Sequence, residues 1–252
     1  MRTSSGMTAK AKDFAEIYAR FGASIASRHD CGRYCAPLNG GEPVCCTTGH
    51  AIPIVQKSEW KLLKGRTDLW SKFEPFDKTS REIVDDLHSS CKAIECKGAA
   101  FCERDNRTLA CRAFPFFPYF NKKRELVGLG YYWSFEDRCW VLSNLASVEK
   151  EFVDEFLASY ELLFEKDDEE LEAFVDESAS MRRVFSRRKA PLPIIGRDGK
   201  LYKILPKTKG KLVPAKPSDF KAYGAYKSPK AYRKAVREEN GDPEAPFPPV
   251  VR

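Results

Sequence analysis

Apolar side chains recur at spacings of three and four near the start of the chain, where Phe14, Ile17, Tyr18, Phe21 and Ile25 would share one face of a helix over residues 8–27. A stronger stripe runs through Val148, Phe152, Val153, Phe156, Leu157, Tyr160, Leu163 and Phe164, with Ser147 as its N-cap. A weaker one follows through Leu171, Phe174, Val175, Met181, Val184 and Phe185, and in both the carboxylates fall on the opposite face. Between these helical regions the pattern is shorter. Residues 51–55 read as a strand, 58–64 as a helix capped by Ser58 and stopped by Gly65, 79–89 as a helix and 126–133 as a strand. Apolar segments 192–195 and 201–205 flank Gly196-Arg197-Asp198-Gly199, and Asp-Gly suits the tight turn of a hairpin. Beyond Pro206 lysine and proline dominate, which predicts a partly ordered tail.

The pattern implies an α+β fold. A small loop-rich cysteine-cluster domain with short strands and an N-terminal helix (residues 1–145) would pack on a helical pair and hairpin (146–205), followed by a basic, proline-containing tail (206–252). With 252 residues, 42% of them hydrophobic, the chain can bury a substantial core and is not wholly disordered. A mean hydropathy of -0.48 with 31% charged residues argues against an integral membrane protein. No run of about 18 apolar residues occurs. The N-terminal stretch lacks an apolar secretory core, so no membrane insertion and a cytoplasmic location are expected.

The net charge of +7 is uneven: residues 181–252 carry 19 basic against 6 acidic side chains, and residues 151–177 hold 12 carboxylates against the single Lys166. Within the basic segment, residues 221–237 interleave Tyr223, Tyr226 and Tyr232 with lysines and arginines, a composition that meets phosphate and stacks bases, or contacts an acidic protein.

All nine cysteines and all three histidines lie between His29 and Cys139. In a reducing cytosol such a set points to metal binding rather than disulfides. Cys31, Cys35, Cys45 and Cys46 form one group, Cys91, Cys96, Cys102 and Cys111 a second, and Cys139 stands alone. Thiolates suit zinc or iron, including iron-sulfur clusters, and four-cysteine sites serve both. In an extended segment the adjacent Cys45 and Cys46 would face opposite sides, toward two centres or with one as packing. Of the histidines, His50, four residues after Cys46, is the first candidate to complete a site; His29 and His88 are weaker ones. Residues 101–140 contain 11 of the 31 aromatic side chains, most of them expected to be core; a wall that keeps water from a cluster would favour iron. Arg107 and Arg112 could donate hydrogen bonds to thiolate sulfur or to a carboxylate.

At these residues the chain resembles a known family. The segment CKGAAFCERDNRTLACRAFPF is similar to the second half of the YkgJ-type cysteine-cluster proteins, which are zinc- or iron-chelating. Cys96, Cys102, Arg107-Thr108-Leu109 and Cys111-Arg112-Ala113-Phe114-Pro115-Phe116 follow the family order, with Thr108 where a proline is usual. Cys31, Cys35, Cys45 and Cys46 would stand for the family's CxxCxxCC, with residues 37–43 looped out as an insertion. The resemblance covers about 110 of the 252 residues.

It implies a metal site drawn from Cys31, Cys35, Cys45, Cys46, Cys96, Cys102 and Cys111, to which Cys91, Cys139 and His50 are added on proximity in sequence. Flagellin lysine methylases among the relatives imply an alternative, a metal-dependent protein-modifying enzyme, and the basic tail implies a nucleic-acid or protein adaptor. No dinucleotide loop, serine or cysteine triad or metalloprotease histidine pair is present in the sequence.

Overall fold

The computed structural model describes residues 7–206, 208, 210–242 and 244–251. The fold is α+β: eight α-helices and two antiparallel sheets among the described residues, joined by short 3₁₀ turns. One sheet has the order β1-β3-β2, from Ile54–Gln56 (β1), Trp70–Lys72 (β2) and Cys91–Cys96 (β3). The other is a five-stranded meander of Phe116–Phe120 (β4), Leu126–Tyr131 (β5), Leu192–Gly196 (β6), Leu201–Ile204 (β7) and Leu212–Pro214 (β8). The helices are Ala11–Arg20 (α1), Cys31–Cys35 (α2), Lys57–Arg66 (α3), Lys78–Asp85 (α4), Leu109–Ala113 (α5), Lys150–Phe164 (α6), Asp168–Arg188 (α7) and Pro229–Glu238 (α8). None of them is long and apolar enough to cross a membrane.

The first helix buries Phe14, Ile17 and Tyr18 as its periodicity requires, but it ends at Arg20 rather than continuing to residue 27. Carboxylates at the start of α6 and within it take the backbone donors beyond that point. Glu155 Oε2 accepts from Gly22 N at 2.8 Å and Ala23 N at 2.6 Å, and Glu149 Oε1 accepts from Ser27 N at 2.7 Å. With these N–H groups satisfied by carboxylates, further helical bonds lose their advantage. The same use of Glu149 shifts the start of α6: the helix begins at Lys150 with Glu149 before it, while Ser147 lies in a 3₁₀ turn with its hydroxyl buried and without a partner.

Helix α3 likewise starts after Gln56, not Ser58, and carries Gly65 within its last turn. Helix α7 is longer than its stripe, because Asp167 accepts from Glu170 N at 3.0 Å as N-cap. Three acidic residues follow in the first turn and Arg187 and Arg188 lie in the last, both matching the helix dipole.

The core is continuous through the two sheets and helices α1, α6 and α7. Helix α7 packs on β4, where Ser178 Oγ accepts from Phe120 N at 2.9 Å. The ring of Phe152 stacks between Phe21 and Phe116, with centroids 5.5 Å and 6.0 Å away. Strands β6 and β7 form the expected hairpin around Gly199, whose positive φ of 76° suits glycine.

The segment beyond Pro206 is not a loose tail. Strand β8 extends the meander, and Tyr226, Tyr232 and Val236 are buried. Tyr232 Oη donates to Tyr34 O at 3.0 Å, Tyr226 Oη to Arg138 O at 3.0 Å, and Trp140 Nε1 to Pro249 O at 2.9 Å. Two of the three tyrosines expected to stack bases are therefore core residues, while the basic side chains between them stay exposed.

Candidate metal centre

The cysteines sit on short elements that a single cap or turn can fix. Asp30 caps the one-turn helix α2 through Arg33 N at 3.1 Å, and the spacing of four puts Cys31 and Cys35 on one side. Val44–Cys46 is a 3₁₀ turn rather than an extended segment, so Cys45 and Cys46 do not diverge: their sulfurs lie 3.9 Å apart. Thr108 caps α5 by accepting from Cys111 N at 3.0 Å, which places Cys111 in the first turn. Cys139 lies buried just before the 3₁₀ turn Trp140–Ser143.

Strand β3 separates its two cysteines. Residues 91 and 96 differ by an odd number, so their side chains leave opposite faces. Cys96 lies near Cys46 and Cys102, whereas Cys91 lies beside Ser90 Oγ at 3.6 Å and near Glu170, Asp167 and Glu169.

Eight thiols, those of Cys31, Cys35, Cys45, Cys46, Cys96, Cys102, Cys111 and Cys139, thus form one linked series of neighbours, in which the charge of nearby thiolates adds to burial in raising Cys31, Cys35, Cys45, Cys96, Cys111 and Cys139. All nine cysteines are free. Five of the eight, Cys31, Cys35, Cys45, Cys111 and Cys139, line a cavity of about 390 Å³ that Arg104, Arg107 and Arg112 also border. Burial pushes Cys35 and Cys111 up to about 12. Cys46 alone moves down, because Cys45 hydrogen-bonds to it and Arg107 adds positive charge nearby, and Cys45 rises correspondingly. As they stand, no three His, Cys, Asp or Glu side chains among the described residues are arranged to hold a metal ion.

The arginines divide. Arg107 lies near the thiols, where its charge helps to lower Cys46 and offsets a small part of the rise of Cys111. Arg112 is spent on the backbone instead: Nε donates to Arg107 O at 3.0 Å, Nη2 to Asp105 O at 2.7 Å and Nη1 to Phe21 O, with the guanidinium 4.5 Å from the ring of Tyr18.

His50 is also engaged. Its Nε2 lies 2.8 Å from Asn39 Oδ1 and its Nδ1 2.8 Å from Arg138 Nη1, and burial together with the Arg138 charge lowers its pKa. The ring of His29 stacks 5.1 Å from that of Trp140 beside the thiol cavity, and His88 meets Ser90 Oγ at 2.7 Å near the surface. Phe116, Phe117, Tyr119 and Phe120 fill the core as expected, while half-buried Phe114 borders the thiols.

A second cavity, of about 510 Å³, adjoins the first and shares Cys45, Cys111 and Phe114 with it. Glu59 and Glu170 lie on its wall, and neither stood out in the sequence. Glu59 is 3% exposed; its Oε1 accepts from Tyr18 Oη at 2.5 Å and Leu109 N at 2.7 Å. Burial raises it to about 7. The available signal was position: Glu59 stands four residues before buried Leu63, on the apolar face of α3.

Compared with protein-family models, with curated proteins and with solved structures, the chain matches none.

Proposed function

We propose that this protein holds zinc or iron, as single ions or as an iron-sulfur cluster, through the thiolates of Cys31, Cys35, Cys45, Cys46, Cys96, Cys102, Cys111 and Cys139. The observation that carries the reading is the gathering of eight free thiols from short segments spread over more than 100 residues, with Cys31, Cys35, Cys45, Cys111 and Cys139 lining one cavity of about 390 Å³. A thiol used only as a small apolar filler has no reason to seek other thiols. Soft sulfur donors in that number suit zinc or iron, and Arg107 would offset part of the negative charge of a multi-thiolate site. Apart from Cys96 at the end of β3, the donors ride on or beside one-turn helices and 3₁₀ turns, whose side chains can rotate onto an ion as their protons leave, so that binding would complete the local fold. The resemblance to the YkgJ-type cysteine-cluster proteins supports the same reading, as does a cytosolic, thiol-reducing setting.

The test is metal analysis combined with an absorption spectrum on protein purified without oxygen. About one zinc per four thiolates, or visible charge-transfer bands from iron-sulfur centres, is expected. A folded, monodisperse protein that carries neither metal after purification and takes up neither on titration refutes the proposal.

A further inference from the structure

The larger cavity has a chemistry of its own. Buried Phe14, Phe116 and Leu163 form an apolar lining, half-buried Phe174 lies alongside, and exposed Ile54 and Ala173 also border it, so it opens to solvent. Its volume of about 510 Å³ falls in the range that takes a small organic molecule.

Polar groups converge in this apolar lining with part of their hydrogen-bonding capacity unused. Glu170 lies close enough to Glu59 that its charge disfavours ionisation of Glu59. Glu170 Oε1 accepts a single side-chain hydrogen bond, from Gln56 Nε2 at 3.0 Å. Tyr160 is 4% exposed and Tyr132 half-buried; both lie near Glu170, and neither hydroxyl has a hydrogen-bond partner among the described residues. No lysine or arginine lines the cavity among the described residues. His50, at its Cys45 side, is already held by Asn39 and Arg138.

Glu59 has the Arg112 charge behind it, outside the cavity, whereas Glu170 faces the apolar space beside Asp167 and Glu169 with no cation to meet it, a desolvation cost that a positively charged ligand would reduce. Aromatic faces are on hand for the same charge, since the rings of Tyr160 and Phe174 meet edge to face at 5.2 Å. An inorganic cation would leave the apolar remainder of the cavity unfilled, and a neutral apolar molecule would leave Glu170 without a charge partner.

We infer that this cavity is a binding site for an alkylammonium ion, whose charged head meets Glu170 and Glu59 and whose stem lies along Phe14, Phe116, Leu163 and Phe174. The site needs no ligated thiol and stands independently of the metal reading. Its border on Cys45 and Cys111 places the bound stem or head beside the thiol cluster.

Three isosteric probes decide the matter: n-pentylammonium, n-pentanol and pentanoate, titrated calorimetrically into the full chain at pH 7. The ammonium should bind once per chain and about tenfold or more tightly than the alcohol, and pentanoate should bind more weakly still. Glu170→Gln should reduce the preference for ammonium over alcohol about tenfold while leaving the unfolding midpoint near that of the parent. Ala173→Trp, which narrows the mouth without touching a carboxylate, should weaken all three probes. Equal binding of ammonium and alcohol, tighter binding of pentanoate, no binding of any probe, or an unchanged preference in folded Glu170→Gln overturns the inference.

Discussion

Replacing Glu59 by glutamine isolates the energetic effect of burying a carboxylate between the thiol cluster and the second cavity. In the folded protein burial outweighs the hydrogen bonds from Tyr18 and Leu109 and raises this group from its ordinary value of 4.5 to about 7. Between those two values the folded chain keeps a proton that the unfolded chain has released. Folding stability therefore falls as pH rises through that window, and this group adds no further change above about pH 7. Each pH unit of the window carries about 1.4 kcal/mol. The whole window is then worth about 3 kcal/mol as a ceiling. Glutamine keeps an oxygen that can accept from both Tyr18 Oη and Leu109 N, and it never ionises. Urea unfolding of both proteins at pH 4.5, 6, 7 and 8 reads the effect, since titrating groups that do not interact with Glu59 cancel in the difference. The two should be nearly equally stable at pH 4.5, with the variant gaining steadily to about 2–3 kcal/mol at pH 8. A difference that does not change with pH, or that grows in favour of the parent, would falsify the account of Glu59 as a buried carboxylate with a raised pKa.

Tyr232 tests the packing of the C-terminal segment: its ring lies 6.0 Å from Tyr226 and 5.7 Å from Phe247, so Tyr232→Ala should cost about 3–5 kcal/mol in chemical unfolding. Tyr232→Phe, which loses only the bond to Tyr34 O, should cost about 1 kcal/mol; a loss under about 1 kcal/mol for the alanine variant would mean the segment does not pack. Cys46→Ser and Cys111→Ser should lower the metal content of purified, folded protein while Cys91→Ser, which faces the acidic side of β3, leaves it unchanged; equal loss in all three refutes the division of the cysteines. In β5, Gly128 has a φ of 156° and a Cβ there would lie 2.0 Å from Ile195 O, so Gly128→Ala should lower stability by at least about 3 kcal/mol in a thermal melt.

Elements whose apolar stripe was long or whose turn chemistry was local could be read directly. Helix α6 and the β6–β7 hairpin fall nearly where Phe152, Phe156, Tyr160 and the Asp198-Gly199 pair put them. Boundaries set by distant partners could not. The end of α1 depends on Glu155, 133 residues away from Gly22, and the ordering of the last 40 or so residues depends on sites such as Tyr34, 198 residues away from Tyr232. Tyrosines among lysines have the composition of a nucleic-acid arm whether they face water or the core, so only packing separates the two.

The chemical character of the cysteine region belongs to the sequence: nine thiols and three histidines within 111 residues and a basic C-terminal segment are read without coordinates. Which thiols meet is a matter of the fold, because the face a side chain takes depends on local backbone geometry. The 3₁₀ turn brings Cys45 and Cys46 to 3.9 Å where an extended chain would part them, and the pleat of β3 sends Cys91 away from Cys96. The second cavity is tertiary altogether. Glu59, Tyr132, Tyr160 and Glu170 come from four separate segments, and their shared surroundings arise only once the core has closed around them.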